Sequence, residues 1–145
     1  MNDTDVAFRT SSQPHFTVSL LHAAQTIGDR LEGALNELGL SMAKQSALTR
    51  LAEAGEPLTL GELAARLSCV RSNITQLVDR LESDGLVRRI DDASDRRSVR
   101  AELTSTGVAK QKAGAQAMAK AQNELAKKLS KAERTALESA LGAFG

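Results

Sequence analysis

Two short helical patterns that lie only three residues apart, between positions 59 and 83, limit the fold of this sequence more than any other segment. The first begins at Thr59 and Glu62, which form a capping box, because each side chain accepts a hydrogen bond from a free backbone amide at the helix start. The second has apolar residues at the helical spacing i, i+3, i+4 and i+7, and Gly85 is placed to end it. Two short helices joined by a tight turn predict a helix-turn-helix motif. The apolar positions are Leu60, Leu63, Ala64 and Leu67 in the first helix and Ile74, Leu77, Val78 and Leu81 in the second.

A β-hairpin is predicted directly after the second helix. Residues 86–90 and 98–103 are short segments with β-type residues, and residues 91–97, rich in Asp, Arg and Ser, separate them. Two such strands joined by a polar turn predict a hairpin. A hairpin that follows a helix-turn-helix predicts a winged helix-turn-helix over residues 41–103.

Longer helical patterns flank this segment. Residues 16–38 carry an apolar stripe at spacings of three and four, and a second helix is expected over residues 41–55. The alanine-rich residues 104–145 are expected to form two helices, divided by a capping box that begins at Ser130. With 145 residues and no long linker, the chain is expected to form one domain, mainly α-helical with a small β-hairpin wing.

The second helix of the motif carries a polar face suited to double-stranded DNA. Its polar side chains crowd the N-terminal half, and their donors and acceptors match the edges of bases in the major groove. Any amphipathic helix has a polar face, but this one holds no Lys or Glu near its N-terminus. Residues 66–100 also contain eight of the twelve arginines and no lysine, and arginine is the preferred residue for phosphate and minor-groove contacts. The predicted DNA contacts of this helix are Arg71, Ser72, Asn73, Thr75, Gln76 and Arg80.

The flanking segments are expected to join two copies of the chain. Residues 1–40 and 104–145 hold more apolar side chains than one small core requires, and a helix-turn-helix that reads a palindrome needs a two-fold partner. We therefore expect a homodimer. The alternative is that these helices complete one larger monomeric core. The polar residues 1–12 are expected to be a frayed lead-in to the first helix.

Composition argues against several other classes of function. The chain has three Phe and neither Trp nor Tyr, too few aromatic rings for a base-stacking surface that binds single-stranded nucleic acid. A single Cys excludes an intrachain disulfide and a multi-cysteine zinc motif. No apolar run has the length of a membrane span and the N-terminus lacks a signal-peptide pattern, so we expect a cytoplasmic protein that does not bind membranes. No catalytic-triad order, paired carboxylates or phosphate loop is present, so we expect no enzyme activity and no cofactor.

An ordered set of short motifs runs through the predicted winged segment. The set comprises Leu63-Ala64, the run Arg71–Glu82, Gly85-Leu86-Val87, Asp95-Arg96-Arg97-Ser98, Leu103-Thr104 and Gly107. Over about 45 residues this order resembles the multiple antibiotic resistance regulator (MarR) family. The resemblance implies a homodimeric transcription factor, usually a repressor, that binds an inverted repeat in double-stranded DNA. It also implies that a small molecule or an oxidant often releases the DNA.

The resemblance further implies two groups of DNA contacts. In the second helix it places Ser72, Asn73, Thr75 and Gln76 at base-reading positions. In the wing, Arg97 is expected to enter the minor groove while Asp95 holds its guanidinium group; the alternative is an exposed ion pair of little energetic value. The predicted wing contacts are Asp95, Arg96, Arg97 and Ser98.

Three arginines of the hairpin strands have two interpretations. Arg88, Arg89 and Arg100 either contact phosphate or pair with neighbouring carboxylates, and the sequence favours neither. The neighbouring carboxylates are Asp91, Asp92 and Glu102.

Other candidate sites have weaker signals. Cys69 lies in the turn before the second helix, where oxidation would displace that helix, but an inert buried thiol is the preferred interpretation. His15 and His22 are seven residues apart and form no metal-ligand signature, so no metal is expected. The resemblance implies a small-molecule effector pocket between the flanking helices and the winged core, with His22, Gln25 and Met42 as candidate lining residues. The alternative function is a winged-helix module that binds a protein and not DNA.

Overall fold

The computed structural model describes residues 12–68 and 71–145, with side chains described for residues 15–68, 73–95 and 98–145. These residues form six helices and three strands, so the predicted mainly α-helical fold with a small sheet is confirmed. In chain order the elements are α1 (Ser12–Asn36), α2 (Met42–Ala54), β1 (Leu58–Thr59), α3 (Leu60–Leu67), α4 (Arg71–Ser83), β2 (Val87–Asp92), β3 (Asp95–Leu103), α5 (Ser105–Ala126) and α6 (Lys131–Leu141). The predicted lead-in at residues 1–12 lies outside the described residues, apart from Ser12, which begins α1.

Local backbone chemistry sets the ends of the two helices of the motif. At the start of α3, the Glu62 amide donates to Thr59 Oγ1 (3.1 Å) and the Thr59 amide donates to Glu62 Oε2 (2.9 Å), which confirms the predicted capping box. α3 ends at Ser68, whose φ of +53° is uncommon for a residue other than glycine. α4 has the predicted length, and Gly85, at φ +74°, turns the chain toward the sheet.

The antiparallel sheet is larger than the predicted hairpin. Its strand order is β1–β3–β2, so a third strand, β1, joins the hairpin through Leu58. The hairpin strands extend to Asp92 and Asp95, and most of residues 91–97 is therefore strand and not turn. The predicted turn contains too many residues. Polar side chains at 91–97 indicate a turn, but hydrogen-bond pairing between strand backbones does not require apolar side chains. The Asp92 carboxylate closes the shorter turn by accepting hydrogen bonds from the Ser94 amide (3.1 Å) and hydroxyl (2.8 Å).

The hydrophobic core lies between α2, the helix-turn-helix and the sheet. Its largest fully buried side chains come from the end of α1 and the loop after it, α2, α3, α4 and β2. They are Leu35, Leu40, Leu48, Leu63, Ile74, Val78, Leu81 and Val87. Because α4 supplies three of these side chains, the core also fixes which side of α4 faces solvent.

α5 approaches the rest of the chain closely at two glycines. A Cβ atom on Gly107 would lie 1.9 Å from the Leu86 carbonyl oxygen, and a Cβ atom on Gly114 would lie 2.0 Å from Gln45 Oε1. Gln45 is only 4% exposed, and its Nε2 donates to the Gln111 carbonyl oxygen (3.0 Å). α5 is therefore fixed both to the base of the hairpin and to α2.

The flanking helices leave apolar surface uncovered. All residues from 131 to 145 are exposed, and so are residues 21–30 of α1. The exposed fraction reaches 66% for Leu21 and Phe144 and 62% for Phe16. None of the described helices has both the length and the apolar character needed to cross a membrane.

Candidate nucleic-acid interface

The polar face predicted for α4 is exposed. Ile74, Val78 and Leu81 are 0% exposed, which turns the opposite side of the helix to solvent. α3 packs against α4, as the first helix of a helix-turn-helix braces the second. The described side chains exposed on α4 are Asn73, Thr75, Gln76, Asp79, Arg80, Glu82 and Ser83. Several of these side chains are of the kinds that read base edges in the major groove.

The exposed face of α4 has two edges with different surroundings. Asn73 and Arg80 lie along the edge next to α2 and α3, where they line a cleft. Asp79 and Glu82 lie along the other edge, next to β2. The side chains of α4 thus place a cation on one edge and two carboxylates on the other.

Arg89 of β2 compensates the acidic edge of α4. Its Nη1 donates to Glu82 Oε1 (3.0 Å), its backbone amide donates to Glu82 Oε2 (2.9 Å), and its Nη2 donates to Asp79 Oδ1. Partial burial acts to lower the pKa of Arg89, but the hydrogen bonds and charges of Asp79 and Glu82 outweigh it, so this pKa is raised above its ordinary value. Neither carboxylate is among the partners predicted for Arg89. One sequence signal does indicate these two partners: Asp79 and Glu82 have i, i+3 spacing on the last turns of α4, directly before the hairpin.

The other two strand arginines also pair with carboxylates. Arg88 pairs with Glu102 across the hairpin. Arg100 donates through Nη2 to Asp92 Oδ2 (3.1 Å). Hydrogen bonds from the Ser94 amide and hydroxyl, and then the Arg100 guanidinium, hold the pKa of Asp92 below its ordinary value. Of the two interpretations of the strand arginines, internal pairing is the one present in this structure.

Several predicted contacts concern side chains outside the described residues. These are Arg71 and Ser72, which begin α4, and Arg96 and Arg97, which lie in β3. Asp95 is exposed and begins β3 at the tip of the hairpin, and Ser98 is half-buried. Cys69 lies wholly outside the described residues. The contact between Asp95 and Arg97 and the redox role of Cys69 stay predictions.

The three residues predicted to line an effector pocket do not come together in the cleft beside α4. Met42 lines this cleft, and neither His22 nor Gln25 does. Both of these residues are exposed on α1, as is His15. Across residues 12–68 and 71–145, no three or more His, Cys, Asp or Glu residues gather as a metal site requires. The effector pocket stays a prediction.

The sequence is similar to known regulatory proteins. A protein-family sequence model described as the MarR family matches residues 40–99. An uncharacterised HTH-type transcriptional regulator of Bacillus subtilis (strain 168), YsmB, is 35% identical over 89 residues, which are 61% of this chain and 60% of that protein. The chain matches about 60% of the length of its first curated relatives.

Solved structures with a similar fold cover more of the chain. The reduced form of MarR from Escherichia coli is 30% identical, with a TM-score of 0.74 over 87% of this chain and 93% of that one. A mutant MarR from Escherichia coli, complexed with operator DNA, is 27% identical, with a TM-score of 0.75 over 91% and 94% of the two chains. Coverage of this extent includes flanking helices as well as the winged segment. The predicted winged helix-turn-helix fold is confirmed.

Proposed function

The chain belongs to the MarR family of transcriptional regulators, and from this premise we propose that it binds double-stranded DNA sequence-specifically as a homodimer. The observation that carries the proposal is the exposed polar face of α4, which is held by a fully buried apolar side and followed directly by the hairpin. The complex of a mutant Escherichia coli MarR with operator DNA supports the same use of a similar fold.

The proposed docking places α4 in the major groove and the hairpin wing at the adjacent minor groove. Asn73, Thr75 and Gln76 read base edges, because their side chains carry the hydrogen-bond donors and acceptors that distinguish base pairs there. The N-terminus of a helix favours phosphate, so we place the N-terminus of α4 near the DNA backbone. The wing contributes residues 95–98, with Arg97 directed to the minor groove.

The uncovered apolar side chains of α1, of α6 and of the segment after α6 support the homodimer. Phe16, Leu21, Leu137, Leu141 and Phe144 are each between 43% and 66% exposed in the single chain. Burial of a side chain of this size contributes about 1.5–3 kcal/mol when it is complete. A two-fold dimer formed through these helices presents two copies of α4 to half-sites one helical turn apart, roughly 10 bp.

Two finer parts of the proposal rest on the family resemblance. The protein acts as a repressor, and a small-molecule effector modulates its binding. An effector that binds the DNA-free state more tightly lowers the affinity for DNA by the same factor, as thermodynamic linkage requires. The site of action is the cytoplasm, where the protein meets chromosomal DNA.

Selection of bound sequences from random duplex DNA tests this function. The expected result is an enriched inverted repeat with half-site centres roughly 10 bp apart. A matched variant, Asn73→Ala with Gln76→Ala, keeps the buried side of α4 intact and is expected to lose the enrichment. Absence of any enriched sequence with the parent protein overturns the proposal and favours the protein-binding module.

A further inference from the structure

A cleft of about 650 Å³ lies between α2, α3 and α4, beside the face that we place against the bases. Three arginines line it, namely Arg50, Arg66 and Arg80, and Asn73 and Gln76 of α4 belong to its wall. None of the described residues that line the cleft is acidic. The cleft therefore has a positive lining that is continuous with the base-reading face of α4.

The three arginines differ in how far their charge is compensated. Arg50 Nη1 lies 2.9 Å from Glu53 Oε2, so a carboxylate on the same helix already pairs with it. Within the described residues, neither the Arg66 nor the Arg80 side chain makes a hydrogen bond or an ion pair. Arg66 lies in the last turn of α3, where a cation also has a modest favourable interaction with the helix dipole. Two uncompensated guanidinium groups, one from α3 and one from α4, thus line the cleft.

A helix that lies in the major groove has a sugar-phosphate backbone on each side. The groove is only about 12 Å wide, so residues along the edges of the helix face these two backbones. On the β2 side of α4, Arg89 pairs with both acidic side chains and offsets one of their two negative charges. On the cleft side, Arg80 lies along the edge of the helix and Arg66 lines the same cleft from α3. This placement brings two positively charged side chains toward the phosphates on the side of α4 away from β2.

We propose that the cleft is a phosphate-binding site of the DNA interface, in which Arg66 acts together with Arg80 on the backbone that flanks the major groove. The inference rests on the proposed function and adds α3 to the elements that contact DNA. Charge complementarity favours a DNA phosphate, and the wall shared with the base-reading residues Asn73 and Gln76 favours it over a separate small anion.

The test measures DNA affinity as a function of salt for the full-length chain. The probe is the selected duplex, with a scrambled duplex of equal length beside it, and fluorescence anisotropy is recorded over a series of KCl concentrations. Arg66→Ala is expected to lower affinity for both duplexes by about tenfold and to reduce the salt slope by about one for each phosphate that residue 66 no longer neutralises. Arg66→Lys keeps a phosphate-binding charge and is expected to retain most of the affinity.

Matched variants separate this role from an effect of overall charge or folding. Lys112→Ala removes one positive charge from an exposed residue of α5 outside the cleft, and its affinity is expected to stay within about twofold of the parent. Arg66→Gln keeps a long helix-compatible side chain, so it gives the same test if the alanine variant is poorly folded.

Two results overturn the phosphate site. One is an unchanged affinity and salt slope in both Arg66→Ala and Arg66→Gln. The other combines two measurements. If benzoate raises the thermal unfolding midpoint of the parent but not of Arg66→Ala, while the DNA affinity of Arg66→Ala is unchanged, the cleft binds a small organic anion instead. A parent protein that binds neither duplex overturns the proposed function itself, so the two failures are distinct.

Discussion

Arg89 determines whether the β2 side of α4 carries one excess negative charge or two. Its partners Asp79 and Glu82 lie on the helix that we place in the major groove, where uncompensated carboxylates repel phosphate. Arg89→Ala is expected to weaken operator binding about tenfold, because like charges that face each other across an interface are costly. The free energy of unfolding should fall by only about 1 kcal/mol, because both carboxylates are exposed. Anisotropy and urea denaturation measure the two effects.

A triple variant separates compensation from direct contact. Asp79→Asn and Glu82→Gln, added to Arg89→Ala, remove both carboxylates and leave the edge neutral. If Arg89 acts by compensating them, the triple variant recovers most of the affinity of the parent. A triple variant that binds as weakly as Arg89→Ala shows instead that the arginine itself contacts DNA.

Gln76 is expected to specify bases. A well-placed bidentate side-chain contact discriminates against the wrong base by about 1–3 kcal/mol. Gln76→Ala should therefore relax the preference at one or two positions of each half-site and leave the others intact, as a repeated selection from random duplexes would show. The control is Gln122→Ala, an exposed glutamine of α5. A uniform loss of affinity for all sequences would assign Gln76 to the backbone.

At the scale of elements, the carboxylate of Asp92 closes the wing. Because its folded-state pKa is lowered, Asp92 contributes stability above its ordinary pKa of about 3.9, and this contribution is lost as the pH falls through the lowered value. Asp92→Asn should thus unfold more easily than the parent at pH 7, and the difference should shrink below pH about 4. Urea denaturation across this pH range measures it. A difference that does not depend on pH would mean that the charge of Asp92 plays no part.

The crossing of α2 and α5 depends on the absence of a side chain at Gly114. A methyl group there would lie 2.0 Å from Gln45 Oε1, and overpacking of this kind costs about 1–3 kcal/mol. Gly114→Ala should lower the thermal unfolding midpoint, and Gln45→Ala in the same chain should restore part of the difference. Gly28→Ala is the matched control, because a Cβ there meets nothing within 4 Å and alanine favours a helix. Additive effects at Gly114 and Gln45 would contradict the close contact.

Local patterns predict the elements whose causes are local. The apolar spacing around Ile74 and the capping box at Thr59 act within a few residues, so the sequence alone indicates α3 and α4. β1 has no such signal, because two residues carry no pattern and its pairing with β3 is tertiary. The partners of Arg89 and the contact between Gln45 and Gly114 also join separate elements, and spacing along the chain does not report such contacts. The proposed base-reading positions lie on one face of one helix, which periodicity indicates well.

At the scale of the whole molecule, the net charge bears on the DNA binding that we propose. The formal net charge is +1, so the overall field is weak and non-specific affinity should be modest. DNA binding should then depend on base contacts and on a small number of cations, such as the proposed phosphate contacts Arg66 and Arg80. This balance favours specificity over tight general binding.

Dimer formation should depend on the apolar end of the chain. Leu141 is 43% exposed in the single chain, and Leu141→Glu places a charge on each side of the proposed two-fold interface. The dimer dissociation constant should rise at least about tenfold, and operator affinity at low protein concentration should fall with it. Val108→Glu, at an apolar residue that is 39% exposed beside the sheet, serves as the control. Sedimentation equilibrium gives the result, and an unchanged dissociation constant for Leu141→Glu would contradict an interface at α6.

The two glycine contacts of α5 hold that helix against the base of the wing and against α2, and α5 also packs against α1. Its 22 residues span about 33 Å at 1.5 Å per residue. In the proposed two-fold dimer, two copies of α5 held in this way are expected to fix the separation of the two α4 helices. An inserted base pair lengthens an operator by about 3.4 Å and rotates one half-site by about 35°. The protein should therefore discriminate between operators by half-site spacing as well as by base sequence, and bind weakly to a correct sequence with the wrong spacing.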